Sequence, residues 1–180
     1  MKFERTSFRN LLLCHPAIHS DERGLFFESF RSDLLDQEVG PIHFCQDNES
    51  ISKAGVLRGL HFQVPPMAQD KLVRVVRGSA LDVAVDLRTE EPTYGKYFSL
   101  VLSGSNRIQL FIPKGFAHGF LSLEDDTVFS YKCSARYSRE YERSLLWNDS
   151  GLNIDWGITH PQVSNKDRDA PSFNGFNSPF

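Results

Sequence analysis

Cysteine, helical periodicity and long apolar runs are all scarce in this chain, and each scarcity excludes something. The three cysteines, Cys14, Cys45 and Cys133, are widely spaced and form no Cys-x-x-Cys pair. Such a set supports neither a disulfide framework nor a zinc ribbon, and it fits a reducing cytoplasm. No stretch approaches the roughly 18 apolar residues of a membrane-spanning helix. The opening MKFERTSFRN carries charge where an export signal has an apolar core. The expectation is a soluble cytoplasmic protein with no membrane partner. A basic surplus is missing too: Lys and Arg number 20 against 23 Asp and Glu, a net charge of −3 with neutral histidines. That balance argues against nucleic acid as a partner, so any bound anion must be held by a local cluster.

What the sequence does contain is a period of two. In Ala80 to Leu87 the leucines and valines alternate with Ala80, Asp82, Ala84 and Asp86, the pattern of a strand with one packed face. Arg77-Gly78-Ser79 reads as the turn before it. Tyr97 to Leu102, Arg107 to Ile112 and Thr127 to Cys133 are further strands, separated by Ser103-Gly104-Ser105-Asn106, Pro113-Lys114-Gly115 and Glu124-Asp125-Asp126. One short helix is expected over Arg31 to Gln37 with Ser32 as its N-cap, and a turn after Ser138. Phe26, Phe27 and Phe30 are expected in the core, and the segment after Ala170, rich in Asn, Ser, Pro and Phe, as a loose tail. The 180 residues fit one domain without linker or repeat. The expected fold is all-β, an antiparallel jelly-roll barrel with a few short helices.

Two segments resemble the paired signatures of the cupin superfamily, jelly rolls that usually hold a metal. Pro113-Lys114-Gly115-Phe116-Ala117-His118 matches the second signature. At the first, His61-Phe62-Gln63 and Lys71 stand where two histidines and a glutamate are usual, so glutamine and lysine replace two ligands. An ammonium at a ligand position repels a cation, so no metal is expected. What remains is a base, His61, and a fixed positive charge, Lys71, a pairing that suits proton chemistry beside a carbonyl.

A longer resemblance is more specific. Gly55 to Gln63, Pro65-Pro66 and Gln69 to Val73 are similar to the core of dTDP-4-dehydrorhamnose 3,5-epimerases. Asp21 to Glu28, Gln46 to Ser50, Gly115 to Phe120, Tyr131 to Cys133, Trp147 to Asp149 and Ser164 to Asp167 follow in the family's order, across roughly residues 1 to 170. The resemblance implies a cofactor-independent isomerase acting on a dTDP-linked 4-keto-6-deoxyhexose. His61 would be the base, Asp167 its partner, Tyr131 the acid on the opposite face of the sugar, and Lys71 the stabiliser of the enolate oxygen. Arg23 and Arg58 would hold the diphosphate, and Tyr137 would stack on thymine. Phe26, Glu28, Gln46, Asn48, His118, Glu142 and Lys166 complete the implied binding positions. Family members are homodimers whose amino-terminal strands cross to the partner sheet, which implies the same here.

Taken singly, these residues read more plainly. His61 alone is a hydrogen-bonded structural histidine, Tyr131 a core tyrosine, Lys71 an exposed strand lysine and Asp167 a solvated tail charge. Strict alternation puts Arg58 and His61 on opposite faces, so their joint use needs a bulge or turn, expected at Gly59. The rival functions are an epimerase inverting C3 alone or serving another deoxysugar, a sugar-nucleotide-binding cupin without catalysis, and a metal-dependent cupin enzyme.

Overall fold

The computed structural model describes residues 1–180. Chain order runs β1 (Lys2–Arg5), β2 (Leu12–His15), β3 (Ile18–Asp21), β4 (Gly24–Phe27), α1 (Ser32–Val39), β5 (Gln46–Ser52), β6 (Leu57–Gln63), β7 (Lys71–Arg77) and β8 (Ser79–Asp86). It continues with β9 (Tyr97–Ser103), β10 (Gln109–Ile112), β11 (Phe116–Ser122), β12 (Thr127–Cys133), β13 (Glu142–Ser144) and α2 (Asn165–Arg168). A six-stranded sheet has the order β1-β2-β10-β7-β12-β5, and a five-stranded sheet the order β13-β6-β11-β8-β9. The β3–β4 hairpin pairs with neither. All strand pairs are antiparallel, as the expected cupin-type jelly roll requires.

The sheets face each other across an apolar core in which Val73, Val75, Leu110 and Phe129 from one meet Ala80, Ala84, Phe116 and Phe120 from the other. Each large apolar side chain buried there contributes about 1.5–3 kcal/mol. At its centre the Phe120 and Phe129 rings stack at 4.0 Å, joining β11 to β12 across the gap. The outer face of the five-stranded sheet is covered as well: Leu57, Phe62, Val83, Val85 and Leu121 pack under Trp156, Phe173, Phe176 and Phe180. On the other flank, Leu35 of α1 closes over Leu12, Cys14, Leu72 and Phe111.

This layering corrects several expectations. β8 is packed on both faces, because its Leu and Val side chains meet the carboxy-terminal segment while Ala80, Asp82, Ala84 and Asp86 are all buried. Ala80 and Ala84 lie in the core between the sheets. The carboxy-terminal segment is docked, not loose. Asp149 accepts hydrogen bonds from the Ser172 hydroxyl (2.5 Å) and the Phe173 amide (2.9 Å), and Thr89 donates to the Phe180 carbonyl. Phe26 is 67% exposed on the hairpin, whereas Phe30 packs edge-on against Phe44 at 5.5 Å. Helix α1 runs to Val39 with the extended Arg31, not Ser32, at its N-cap. Arg31 is tied by its guanidinium to Asp33 in the first turn. β10 begins at Gln109, since Arg107 has a φ of +56° in the left-handed region and belongs to the preceding turn.

Candidate active site

A cleft of about 610 Å³ opens between the two sheets, and its walls have different parents. β6 and β11 of the five-stranded sheet supply Arg58, His61 and His118. β5, β7 and β12 of the six-stranded sheet supply Gln46, Asn48, Lys71 and Tyr131. The base and acid candidates therefore stand on opposing sheets, facing one cavity.

Arg58 and His61 share a wall because β6 carries an extra residue. His61 pairs with His118 and Arg58 with Phe120, so three steps on β6 match two on β11. The bulge falls at Gly59, where sequence alternation needed one. A Cβ there would lie 2.5 Å from Gly119 Cα, so the two strands touch through glycines. The bulged Gly59 amide points toward Asp167, 3.5 Å from Oδ2.

Asp167 is carried to His61 by the short helix α2, whose N-cap Ser164 accepts from the Asp167 amide at 3.1 Å. Its Oδ1 lies 2.5 Å from His61 Nε2. Burial pushes the Asp167 carboxyl up, but the hydrogen bonds from His61, Ser164 and Gly59 outweigh it and hold the group below the ordinary carboxylate range. An anion there accepts the Nε2 hydrogen and leaves Nδ1 with the basic lone pair. Read singly, Asp167 looked like a solvated tail charge; at 3% exposure it is buried.

Lys71 is likewise buried, against the exposed strand lysine that the residue alone suggests. Its Nζ reaches 3.5 Å from the His61 carbonyl. Burial pushes its ammonium below the ordinary lysine range, against the opposing fields of Cys133, Asp82 and Glu142. Burial also raises the Tyr131 hydroxyl, with Cys133 adding to it, so the phenol keeps its proton. His118 Nε2 is 2.9 Å from Asp82 Oδ2, a second histidine–carboxylate pair directly across the ladder from His61. Asp82 Oδ1 is buried without a hydrogen-bond partner.

At the cleft mouth Glu142 Oε1 pairs with Lys166 at 2.5 Å and Oε2 accepts from the Tyr137 hydroxyl at 2.9 Å. Tyr137 is 56% exposed. Gln46 Nε2 donates to Asn48 Oδ1 at 2.9 Å. Eleven of the residues singled out in the sequence thus border one cavity: His61, Tyr131, Asp167, Lys71 and Arg58 within it, and Gln46, Asn48, His118, Tyr137, Glu142 and Lys166 around them. Arg23, Phe26 and Glu28 do not. Arg23 pairs with Asp21 on the exposed hairpin, and Glu28 with Arg31. The sequence marks Gln63 only as a replaced ligand and Asp82 only as an alternating strand position; the structure adds that Gln63 borders the cavity and that Asp82 pairs with His118. No group of three or more His, Cys, Asp and Glu side chains is arranged to hold a metal ion. No helix is long and apolar enough to cross a membrane.

Comparison with known proteins identifies the family of the chain. A family profile described as dTDP-4-dehydrorhamnose 3,5-epimerase matches residues 5–175. The dTDP-4-dehydrorhamnose 3,5-epimerase of Shigella flexneri is 46% identical over 174 residues, which cover 96% of each chain. The crystal structure of the dTDP-4-dehydrorhamnose 3,5-epimerase from Elizabethkingia anophelis NUHP1 is similar at a TM-score of 0.93 and 44% identity, covering 97% of each chain. A dTDP-6-deoxy-D-glucose-3,5-epimerase from Legionella pneumophila Philadelphia 1, in complex with dTDP-4-keto-L-rhamnose, superposes at 0.92 with 43% identity over 98% of this chain and 94% of its own. With a matching profile over nearly its whole length and a relative this similar end to end, the chain belongs to the dTDP-4-dehydrorhamnose 3,5-epimerase family.

Proposed function

We infer that the cleft epimerises a dTDP-linked 4-keto-6-deoxyglucose at C3 and C5, giving the 4-keto-L-rhamnose nucleotide by proton removal and return. The observation that carries this reading is the opposition of His61 on one sheet, held by Asp167 from α2, to Tyr131 on the other, with the buried Lys71 in the same cleft. The C4 ketone acidifies the hydrogens on both neighbouring carbons. His61 Nδ1 takes each in turn, and Asp167 stabilises the imidazolium that forms. The electron pair moves to the C4 oxygen, where the preorganised Lys71 ammonium meets the developing charge. Tyr131 then protonates the carbon from the opposite face, which inverts it. Each inversion leaves an extra proton on His61 and a deficit on Tyr131, and exchange with water at the cleft mouth resets both.

The nucleotide end uses Arg58 and Lys166 for the diphosphate and Tyr137 as a stacking platform for thymine, with Gln46, Asn48 and Glu142 around them. Arg23, Phe26 and Glu28 act in a homodimer, each hairpin reaching the partner's cleft. Two features support this: a two-stranded hairpin is marginal by itself, and this one exposes Ile18, Leu25 and Phe26. The test is incubation with dTDP-4-keto-6-deoxyglucose in deuterated water, followed by NMR. Deuterium at both C3 and C5, without added metal or nicotinamide, is the expected result. Incorporation at C3 alone would reassign the chain as a 3-epimerase.

A further inference from the structure

Gln63 occupies a position where other cupins place a metal ligand, yet its amide is fully committed elsewhere. It is 4% exposed at the end of β6. Its Nε2 donates to the Met67 carbonyl at 2.7 Å and to the Arg136 carbonyl at 3.1 Å, and its Oε1 accepts from the Ser138 amide at 2.6 Å. The last two contacts bracket Tyr137. From the opposite sheet, Gln46 Oε1 accepts from the Tyr137 amide itself at 2.8 Å. The peptide group before Tyr137 is thus gripped at its oxygen by Gln63 and at its hydrogen by Gln46, and the peptide group after it is gripped by Gln63 again. Glu142, which takes the Tyr137 hydroxyl, is the ladder partner of Gln63.

An exposed loop that presents an aromatic ring ordinarily samples many conformations, and here the polar groups of its backbone are satisfied by side chains from two different sheets. We propose that Gln63 is a positioning residue for the nucleotide: together with Gln46 it clamps the loop on both sides of Tyr137 and presets the ring where the base stacks. The proposal rests on the reading of Tyr137 as the thymine platform. It gives the former ligand position a binding role in place of a catalytic one. Only the fraction of molecules with the ring in place binds at full strength, so releasing the clamp weakens apparent affinity by the inverse of that fraction.

The experiment titrates dTDP by calorimetry and measures steady-state kinetics for Gln63→Met, Tyr137→Ala and the double variant. Base stacking on an aromatic ring sets the scale, and about a tenfold rise in the dTDP Kd and in KM is expected for each single variant, with kcat changed less than about threefold. Because both changes remove one device, the double variant should fall within about twofold of the weaker single. A Gln63→Met protein that binds dTDP as wild type does, or penalties that multiply to about a hundredfold in the double variant, would overturn the positioning role. If thermal melting shows that Gln63→Met does not fold, the same criteria apply to Gln63→Asn, which keeps the amide but withdraws it by one methylene. Wild-type affinity in Tyr137→Ala would remove the stacking reading, and the proposal with it. Affinity lost in Tyr137→Ala but kept in the Gln63 variants would remove the proposal alone.

Discussion

The carboxylate of Asp167 meets Nε2 of His61 at 2.5 Å, although 106 residues separate the two in sequence. Asp167→Asn keeps the shape but replaces the anion with an amide that can also donate, and the imidazole loses both its fixed tautomer and its counter-charge. We expect kcat to fall by between about tenfold, the lower range for a lost histidine partner, and about ten-thousandfold, the loss when a reacting histidine takes the wrong tautomer, with little change in dTDP affinity. Steady-state kinetics alongside a dTDP titration check both halves.

His61 and Tyr131 reach the cleft from different sheets, so their roles should separate in isotope experiments. His61→Asn removes the proton acceptor, and neither deuterium wash-in nor inversion should remain. Tyr131→Phe deletes the hydroxyl while keeping the ring in the core. Hydrogen should still exchange with solvent while inversion drops sharply, because the reprotonating group on the far face is gone. Deuterium content and product stereochemistry, followed separately by NMR, decide the matter. Wild-type exchange in His61→Asn would remove the scheme.

Lys71 carries a cost that its neighbours do not fully offset, since burial holds its ammonium below the ordinary lysine range. The sign follows: the folded state binds that proton less tightly than the unfolded chain does, so the charge opposes folding at neutral pH and ceases to do so as pH rises. Lys71→Met should therefore raise the unfolding temperature at pH 7 while lowering kcat about a hundred- to a thousandfold, the scale of a lost oxyanion donor. Wild-type activity should fail on the alkaline side before surface lysines titrate. Differential scanning calorimetry and a pH–rate profile read these effects.

Asp149 ties the carboxy-terminal segment to the outer sheet. Burial raises its carboxyl, but hydrogen bonds from Ser172, Phe173, Leu152 and Gly151 more than reverse this and hold it below the ordinary carboxylate range. The folded state holds the carboxylate more readily than the free chain does. The stabilisation is complete above the ordinary carboxylate value and disappears as pH falls through the lower, folded one. Asp149→Asn should cost about 2 kcal/mol at pH 7, in line with hydrogen bonds to a charged group, and the gap to wild type should close below about pH 4. Thermal melts of the two proteins across that range make the comparison.

Much of this was legible in the sequence because a turn, a strand and a signature each write a local pattern. Thr127 to Cys133 matches β12 residue for residue, and the Pro113 to His118 loop delivers His118 into the cleft. The need for an irregularity at Gly59 followed from the spacing of Arg58 and His61 once the resemblance gave them a common pocket. What escaped was whatever depends on which layer covers a face. Asp82 and Asp86 on alternating positions look the same to a period-two reading whether they meet water or a polar interior, so β8 looked half exposed. Phe173, Phe176 and Phe180 follow neither a helical nor a strand period, so nothing local announced that they seal the outer sheet. Arg23, Phe26 and Glu28 show the same limit from the other side, since a motif names residues without saying whether the fold brings them to the cleft of their own chain.

The stacked rings of Phe120 and Phe129 take on a second meaning in this setting. Phe120 lies two residues from His118 on β11, and Phe129 two residues from Tyr131 on β12, so the stack is a pillar standing beside the reacting groups. Its thickness sets the gauge between the cleft wall that carries His61 and the wall that carries Tyr131. A substitution there that the fold tolerates would still change the distance between the two walls of the cleft.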